Sequence, residues 1–272
     1  MPAFYRCILR EQSEDGKTVI ATYEPNIHAQ GAWNPHEQHM APASGIITRE
    51  LEAFNPNEHL RIGRISFDIF GLISFDRFTI ETRTIRPGKT IELIESTMKS
   101  QGKICIVARA WRMMIHDTSS VHGLEDDHVS TPDLLPAWNG MLRWSGGYIQ
   151  SIDVRIGPNH RPGKGIVWVN TGVEMVEGES TTDLAHIIGL VDTANGIVPR
   201  QEGEFKWAFP NLDLQVHMHR LPQGAWLGLE TIQQYGSDGV GLTSSVLHDI
   251  HGPFGRSEQI LTIRPMPSEN KA

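Results

Sequence analysis

Ser180-Thr181-Thr182-Asp183-Leu184-Ala185-His186-Ile187-Ile188-Gly189-Leu190-Val191-Asp192-Thr193-Ala194-Asn195-Gly196 reads as one helix with its limits written in. Any of Ser180, Thr181 and Thr182 can accept from the free N–H groups of a first turn. Leu184, Ile187, Ile188 and Val191 recur at i, i+3, i+4 and i+7 and make a single apolar stripe. Asn195-Gly196 supplies a left-handed terminator. Asp192 falls one turn beyond Ile188, on the border of the stripe, where a carboxylate either reaches for water or has been set at a cavity.

The whole chain narrows the choice. Its 272 residues are enough for a sizeable core, and the net charge of -8, with no local Lys/Arg cluster, argues against a nucleic-acid groove. Cys7 and Cys105 form neither a CxxC nor a disulfide framework, which suits a reducing compartment. The opening Met1-Pro2-Ala3-Phe4-Tyr5-Arg6 lacks the apolar run of a signal peptide, and no stretch approaches the ~18 apolar residues of a membrane span. A soluble, cytoplasmic protein is expected, with no membrane span and no nucleic-acid partner.

Outward from the helix, the same order appears twice. Residues 4–20 suggest a hairpin around Asp15-Gly16, and 24–42, rich in Pro, Asn and His, read as loop. A helix over 43–54 precedes strands over 61–73, 78–86, 90–98 and 104–114. Residues 115–147 have little periodicity and read as a linker that can order only by packing on something else. Strands over 148–156 and 165–176 lead into the organising helix, and strands over 212–219, 226–234, 241–249 and 259–264 follow it. Repeats over 1–114 and 148–272, joined by 115–147, are the expected organisation.

A shift of 149 residues lays Ile65–Phe70 on Leu214–His219 and Glu81-Thr82 on Glu230-Thr231. The same shift sets Ala43, Ile85 and Ala110 against Asp192, Gln234 and Gln259. Three small or apolar positions thus become a carboxylate and two carboxamides, which points to a polar cluster at one end of the second helix.

These residues carry a resemblance. Phe209-Pro210-Asn211-Leu212-Asp213-Leu214-Gln215-Val216-His217-Met218-His219-Arg220, Trp226–Thr231, Gly239-Val240-Gly241-Leu242 and Gly255-Arg256-Ser257-Glu258-Gln259 resemble the second half of TesB-like (type II) acyl-CoA thioesterases. Arg83–Thr90 and Ala108-Arg109-Ala110-Trp111 look like the equivalent strands of the first half. The resemblance implies an α+β double hotdog, two tandem repeats of a long helix wrapped by an antiparallel sheet. It also implies hydrolysis of fatty acyl-CoA to acid and CoA with no metal, no other cofactor and no covalent intermediate, and a homodimer. The family's Asp and Gln map onto Asp192 and Gln259. Its Ser or Thr has no clean match, since Gln233-Gln234 stand where it is usual and Thr231 shares strand parity with Gln233.

The catalytic residues expected are therefore Asp192, Gln259 and Gln234, with Thr231, Gln233, Arg83 and Arg86 on the substrate. Asp192 is read as general base and the carboxamides as holders of the attacking water. Lys89 and Arg220 are further candidates for CoA phosphates. The alternatives are a hotdog enoyl-CoA hydratase or dehydratase, for which His186 lies on the right helix but a different face, and a non-catalytic acyl-CoA-binding protein. Thirteen histidines invite a metal, yet His36/His39 and His217/His219 offer no third ligand, and none is expected. No GxSxG occurs, and the Gly-rich stretches at 162–165 and 236–241 fit neither a P-loop nor a dinucleotide fingerprint.

Overall fold

The computed structural model describes residues 1–203 and 205–266. In the first half, strands β1 (Ala3–Gln12) and β2 (Thr18–Pro25) form a hairpin. Helix α1 (Met40–Ala53) follows, then β3 (Leu60–Ile69), β4 (Phe78–Arg86), β5 (Ile91–Ser100) and β6 (Lys103–Met114). The second half has α2 (Gly147–Gln150), β7 (Ile152–Ile156), β8 (Lys164–Thr171), β9 (Glu174–Val176), α3 (Asp183–Val191), α4 (Ala194–Ile197) and β10 (Trp207–Ala208). It closes with β11 (Asp213–Met218), β12 (Leu227–Tyr235), β13 (Val240–Asp249), β14 (Gly252–Thr262) and β15 (Arg264–Pro265).

Thirteen strands make one sheet in the order β7-β8-β12-β13-β14-β11-β3-β6-β5-β4-β2-β1-β9. The two halves meet edge to edge where β3 and β11 pair antiparallel, with Ser66 opposite Gln215. Six strands on one side of that junction are matched by six on the other, with β9 of the second half added beyond β1 at the far edge, where it pairs parallel, and the fold is a double hotdog. The 149-residue shift carries Phe78–Arg86 onto Leu227–Tyr235 and Ile91–Ser100 onto Val240–Asp249. Among the described residues no helix is long and apolar enough to cross a membrane.

Helices obey a different shift. Helices α1 and α3 pack against each other with Gly45 over Gly189, 144 residues on, and Ser44 Oγ donates to Ile188 O at 2.9 Å. Asp192 is therefore the counterpart of Thr48, not of Ala43 as the strand shift suggested. The chain carries five extra residues between the second helix and its sheet. Main-chain ladders hold strand registers rigidly, whereas the loop that enters them absorbs an insertion.

Helix α3 buries Leu184, Ile187, Ile188 and Val191, because the sheet covers one side and α1 the other. Thr182 caps it, its hydroxyl accepting from the N–H of Ala185 at 3.1 Å. The helix ends earlier than expected: Asp192 is its C-cap, and Asn195-Gly196 lie in the short α4 turn with no positive φ. Strand β14 starts at Gly252, seven residues before the expected strand, because a tight turn with Gly252 at φ 113° returns the chain at once.

The glycine crossing makes a prediction. A Cβ on Gly45 would lie 2.8 Å from Gly189 Cα and 3.0 Å from Ala185 O, both main-chain atoms that cannot swing away. Gly→Ala inside a helix ordinarily gains up to about 1 kcal/mol. Here overpacking, at about 1–3 kcal/mol, outweighs that gain. Gly45→Ala is expected to unfold at lower urea concentration than the parent chain; a gain in stability would mean that the helices separate freely.

Candidate active site

The C-terminal end of α3 points at the N-terminal end of α1, and the site lies between them. Asp192 is 6% exposed and caps α3, the end of a helix dipole that disfavours an anion. Its Oδ1 accepts from Gln259 Nε2 at 2.8 Å and from Asn211 Nδ2 at 2.9 Å. Its Oδ2 stands 3.5 Å from His39 Nδ1. Burial pushes the Asp192 carboxyl up to about 6, against the pull of the Asn211 and Gln259 donors. Among the described residues Gln259 Oε1 has no hydrogen-bond partner.

Each neighbour arrives from a different element. Gln259 is on the inward face of β14, between the inward Ser257 and Leu261. Asn211 sits in the loop before β11, bridged to Leu261, with Nδ2 also donating to Asp213 O at 3.1 Å. His39 is the N-cap of α1: its Nδ1 accepts from the N–H of Ala41 at 3.0 Å, and its ring lies 4.3 Å from that of Tyr148, centroid to centroid. Burial holds His39 down to about 3, so it is neutral, and its accepting Nδ1 offers Asp192 no proton. Pro42 has no N–H and His39 occupies that of Ala41, which leaves the Met40 N–H facing out of the first turn of α1.

A cavity of about 50 Å³ opens beside Asp192, walled by His39, Met141, Trp144, Ile149, Phe209 and Asn211 among others. A second groove of about 120 Å³ shares His39 and Asp192 and runs out past Met40, Gly71 and Leu72. The carboxylate stands where the two meet. Among the described residues no three His, Cys, Asp or Glu side chains come together as a metal site.

Of the expected residues, Asp192 and Gln259 are brought into contact. Gln234 is not: successive side chains on β12 alternate, and Gln234 falls on the exposed face while Thr231 and Gln233 point inward. Gln233 takes a supporting place, its Nε2 donating to Asn195 O at 2.9 Å and to Thr243 Oγ1 at 3.1 Å, below the turn that follows Asp192. Thr231 is buried against Ser245, hydroxyl to hydroxyl at 2.8 Å, away from the carboxylate. Arg83 and Arg86 lie on β4, five strands from β14 along the sheet. Arg83 is paired with Glu95 at 2.9 Å and Arg86 donates to Ile91 O at 2.7 Å, so neither reaches this site. Arg220 is committed to Asp249.

Two further neighbours of Asp192, Asn211 and His39, are not legible as site residues in the sequence. Asn211 stands inside the resembling run at 209–220, but a loop carries no periodicity to mark it as inward. In the sequence His39 stands out only as half of a histidine pair; its place one residue before Met40-Ala41-Pro42 is the signal for a cap. In the first repeat the counterparts of Asp192, Asn211 and Gln259 are Thr48, Ile62 and Ala110, which cannot hold a water in the same way.

Residues 29–113 match the acyl-CoA thioesterase N-terminal domain family, and residues 126–263 match the acyl-CoA thioesterase C-terminal domain family. Among solved structures the chain is similar to a conserved protein of unknown function with a hot dog fold from Alicyclobacillus acidocaldarius, with TM-score 0.72 and 13% identity over 95% of this chain and 97% of that one. It is also similar to an acyl-CoA thioesterase II, TesB2, from Mycobacterium marinum, with TM-score 0.65 and 14% identity over 97% of each chain. A tesB protein of Mycobacterium avium subs paratuberculosis gives TM-score 0.65 and 12% identity over 94% of this chain and 96% of that one. No curated protein matches the sequence. At such identities the structural likeness speaks for the fold.

Proposed function

Since the chain belongs to the acyl-CoA thioesterase family, and is thus a thioester hydrolase, we propose that it cleaves acyl-CoA by attack of a water activated on Asp192. The observation that carries this reading is the buried carboxylate itself. One oxygen is held by two amide donors, and the other faces a cavity at the positive end of a 14-residue helix.

The chemistry follows from that placement. Oδ2 takes a proton from the water as its oxygen attacks the thioester carbon, while Gln259 Oε1 accepts the water's other hydrogen and aims it. The carbonyl oxygen gains negative charge facing the Met40 N–H at the first turn of α1, a donor already in place before the reaction. Collapse of the tetrahedral species breaks the C–S bond. The proton held by Asp192 then passes to the departing thiolate, giving free acid and CoA. No step calls for a metal or a covalent acyl-enzyme.

A hydratase needs a second acid/base group poised beside Asp192. His186 does not supply it, being engaged with Ala225 O at 3.1 Å. His39 is adjacent, but its Nδ1 is spent on Ala41 and burial keeps it from taking a proton. Hydrolysis is the reading the geometry supports better.

The test is release of CoA thiol from acyl-CoA, followed over about pH 4.5 to about 9. A base must be ionised to act, so kcat/KM is expected to rise through pH about 6, as the Asp192 carboxyl loses its proton, and to level off above. A flat profile, or one governed by a group of much higher pKa, removes Asp192 from the role.

A further inference from the structure

Two cavities meet at Gly196. The smaller, about 50 Å³, contains Asp192 and ends on Met141, Trp144 and Ile149. The larger, about 480 Å³, lies beyond and is lined by Gly140, Arg143, His160 and Val198. The single turn Gly140–Arg143, with the Trp144 that follows it, is the partition. Met141 and Trp144 face the first cavity, Gly140 and Arg143 the second.

The partition is tightly built. Met141 is 3% exposed, and Trp144 Nε1 donates to Gly196 O at 3.3 Å. A Cβ on Gly196 would lie 3.3 Å from that nitrogen and 3.5 Å from Met141 Cε, so both side chains close on this residue. Rings brace the indole: Trp144 lies 5.2 Å from Trp33, 5.1 Å from Phe205 and 5.9 Å from Phe209 between centroids. Upstream, Trp168 Nε1 donates to Ser130 O at 2.9 Å and the N–H of Trp138 to Val154 O at 2.9 Å. The segment between the repeats is thereby pinned to the second sheet, and its turn cannot swing aside at no cost.

We propose that Met141 and Trp144 are the end wall of the acyl pocket and restrict the enzyme to short acyl groups. This rests on the thioesterase reading of Asp192. CoA carries charged phosphates that cannot be buried among these rings, so it must leave by the open groove past Met40, Gly71 and Leu72. The acyl group then enters the small cavity. At about 10–15 Å³ for each water-sized group, the small cavity holds about three to five such groups, a short acyl chain, before it meets the wall.

The experiment is thiol release by the full chain on acetyl-, butyryl-, octanoyl- and palmitoyl-CoA. The parent chain is expected to lose about 10-fold or more in kcat/KM between butyryl- and octanoyl-CoA. Met141→Ala joins the small cavity to the large one. It is expected to raise the octanoyl-to-butyryl ratio of kcat/KM by about 10-fold, as is Trp144→Leu, with the unfolding temperature of each variant recorded beside it. Should the parent turn over palmitoyl-CoA as readily as butyryl-CoA, the wall is overturned without any variant, and the Asp192 reading still stands. An unchanged ratio in both variants overturns it equally. A parent chain that cleaves none of the four overturns the thioesterase reading and this proposal together.

Discussion

Asp192→Asn is expected to lower kcat on acyl-CoA by about 10²- to 10⁴-fold, the range a positioned general base contributes, while making the folded chain more stable. The first half follows from the geometry. An amide at this position keeps the hydrogen bonds from Asn211 and Gln259, because its oxygen still accepts, yet it cannot take the proton of a water. The second half follows from linkage. The Asp192 carboxyl is pushed up to about 6 in the fold, whereas in an unfolded chain an Asp sits near about 3.9. The protonated form is therefore favoured by folding. Its contribution is complete below about pH 4 and is lost as pH rises through about 6, which leaves a buried charge at neutral pH that costs about 3 kcal/mol. Asn carries no such charge. Urea unfolding should show Asp192→Asn gaining about 1–3 kcal/mol at about pH 8 and little at about pH 4. Two outcomes would count against the assignment: near-parental turnover, or a loss of stability at pH 8 equal to that at pH 4.

Where sequence reasoning reached this site and where it fell short has a physical pattern. The stripe Leu184, Ile187, Ile188, Val191 named the central helix because a buried helix must repeat its apolar residues at its own period. The 149-residue shift was readable because four strands hydrogen-bond in the same register in both halves, and a ladder tolerates no slip without turning its side chains over. That same rule defeated Gln234. One residue of parity separates the inward Gln233 from the exposed Gln234, and a pair of identical residues gives no pattern by which to choose. The strand shift also misplaced Asp192 against Ala43, since five residues inserted after the helix are invisible to an offset read from strands. Asn211, His39, Met141 and Trp144 all lie in loops or turns. Their positions are set by what they pack against, which no local period records. Arg83 and Arg86 looked like anion ligands because charge is visible in a sequence, but their partners Glu95 and Ile91 O are not.

Gln259→Leu is the second large effect expected, and it separates two roles that the side chain plays at once. Its Nε2 donates to Asp192 Oδ1 at 2.8 Å, which favours the ionised base; its Oε1, buried and unpartnered among the described residues, is the acceptor that the proposed mechanism gives the attacking water. Loss of a hydrogen bond to a charged group is worth about 1.5–3 kcal/mol, or about 10- to 100-fold in rate if it is felt fully in the transition state. Losing the donor must also move the base: with Asn211 alone holding Oδ1, the Asp192 carboxyl rises further, and the midpoint of the pH–rate profile moves upward with it. Asn211→Leu removes a donor of the same kind but no acceptor for the water. It should therefore shift the midpoint as far as Gln259→Leu does, while lowering the plateau above it less. Because both side chains act on one carboxylate oxygen, the double variant should fall short of the product of the two single losses. Equal plateaus in the two single variants would mean that Gln259 serves only to hold the carboxylate, and that the water is aimed by something else.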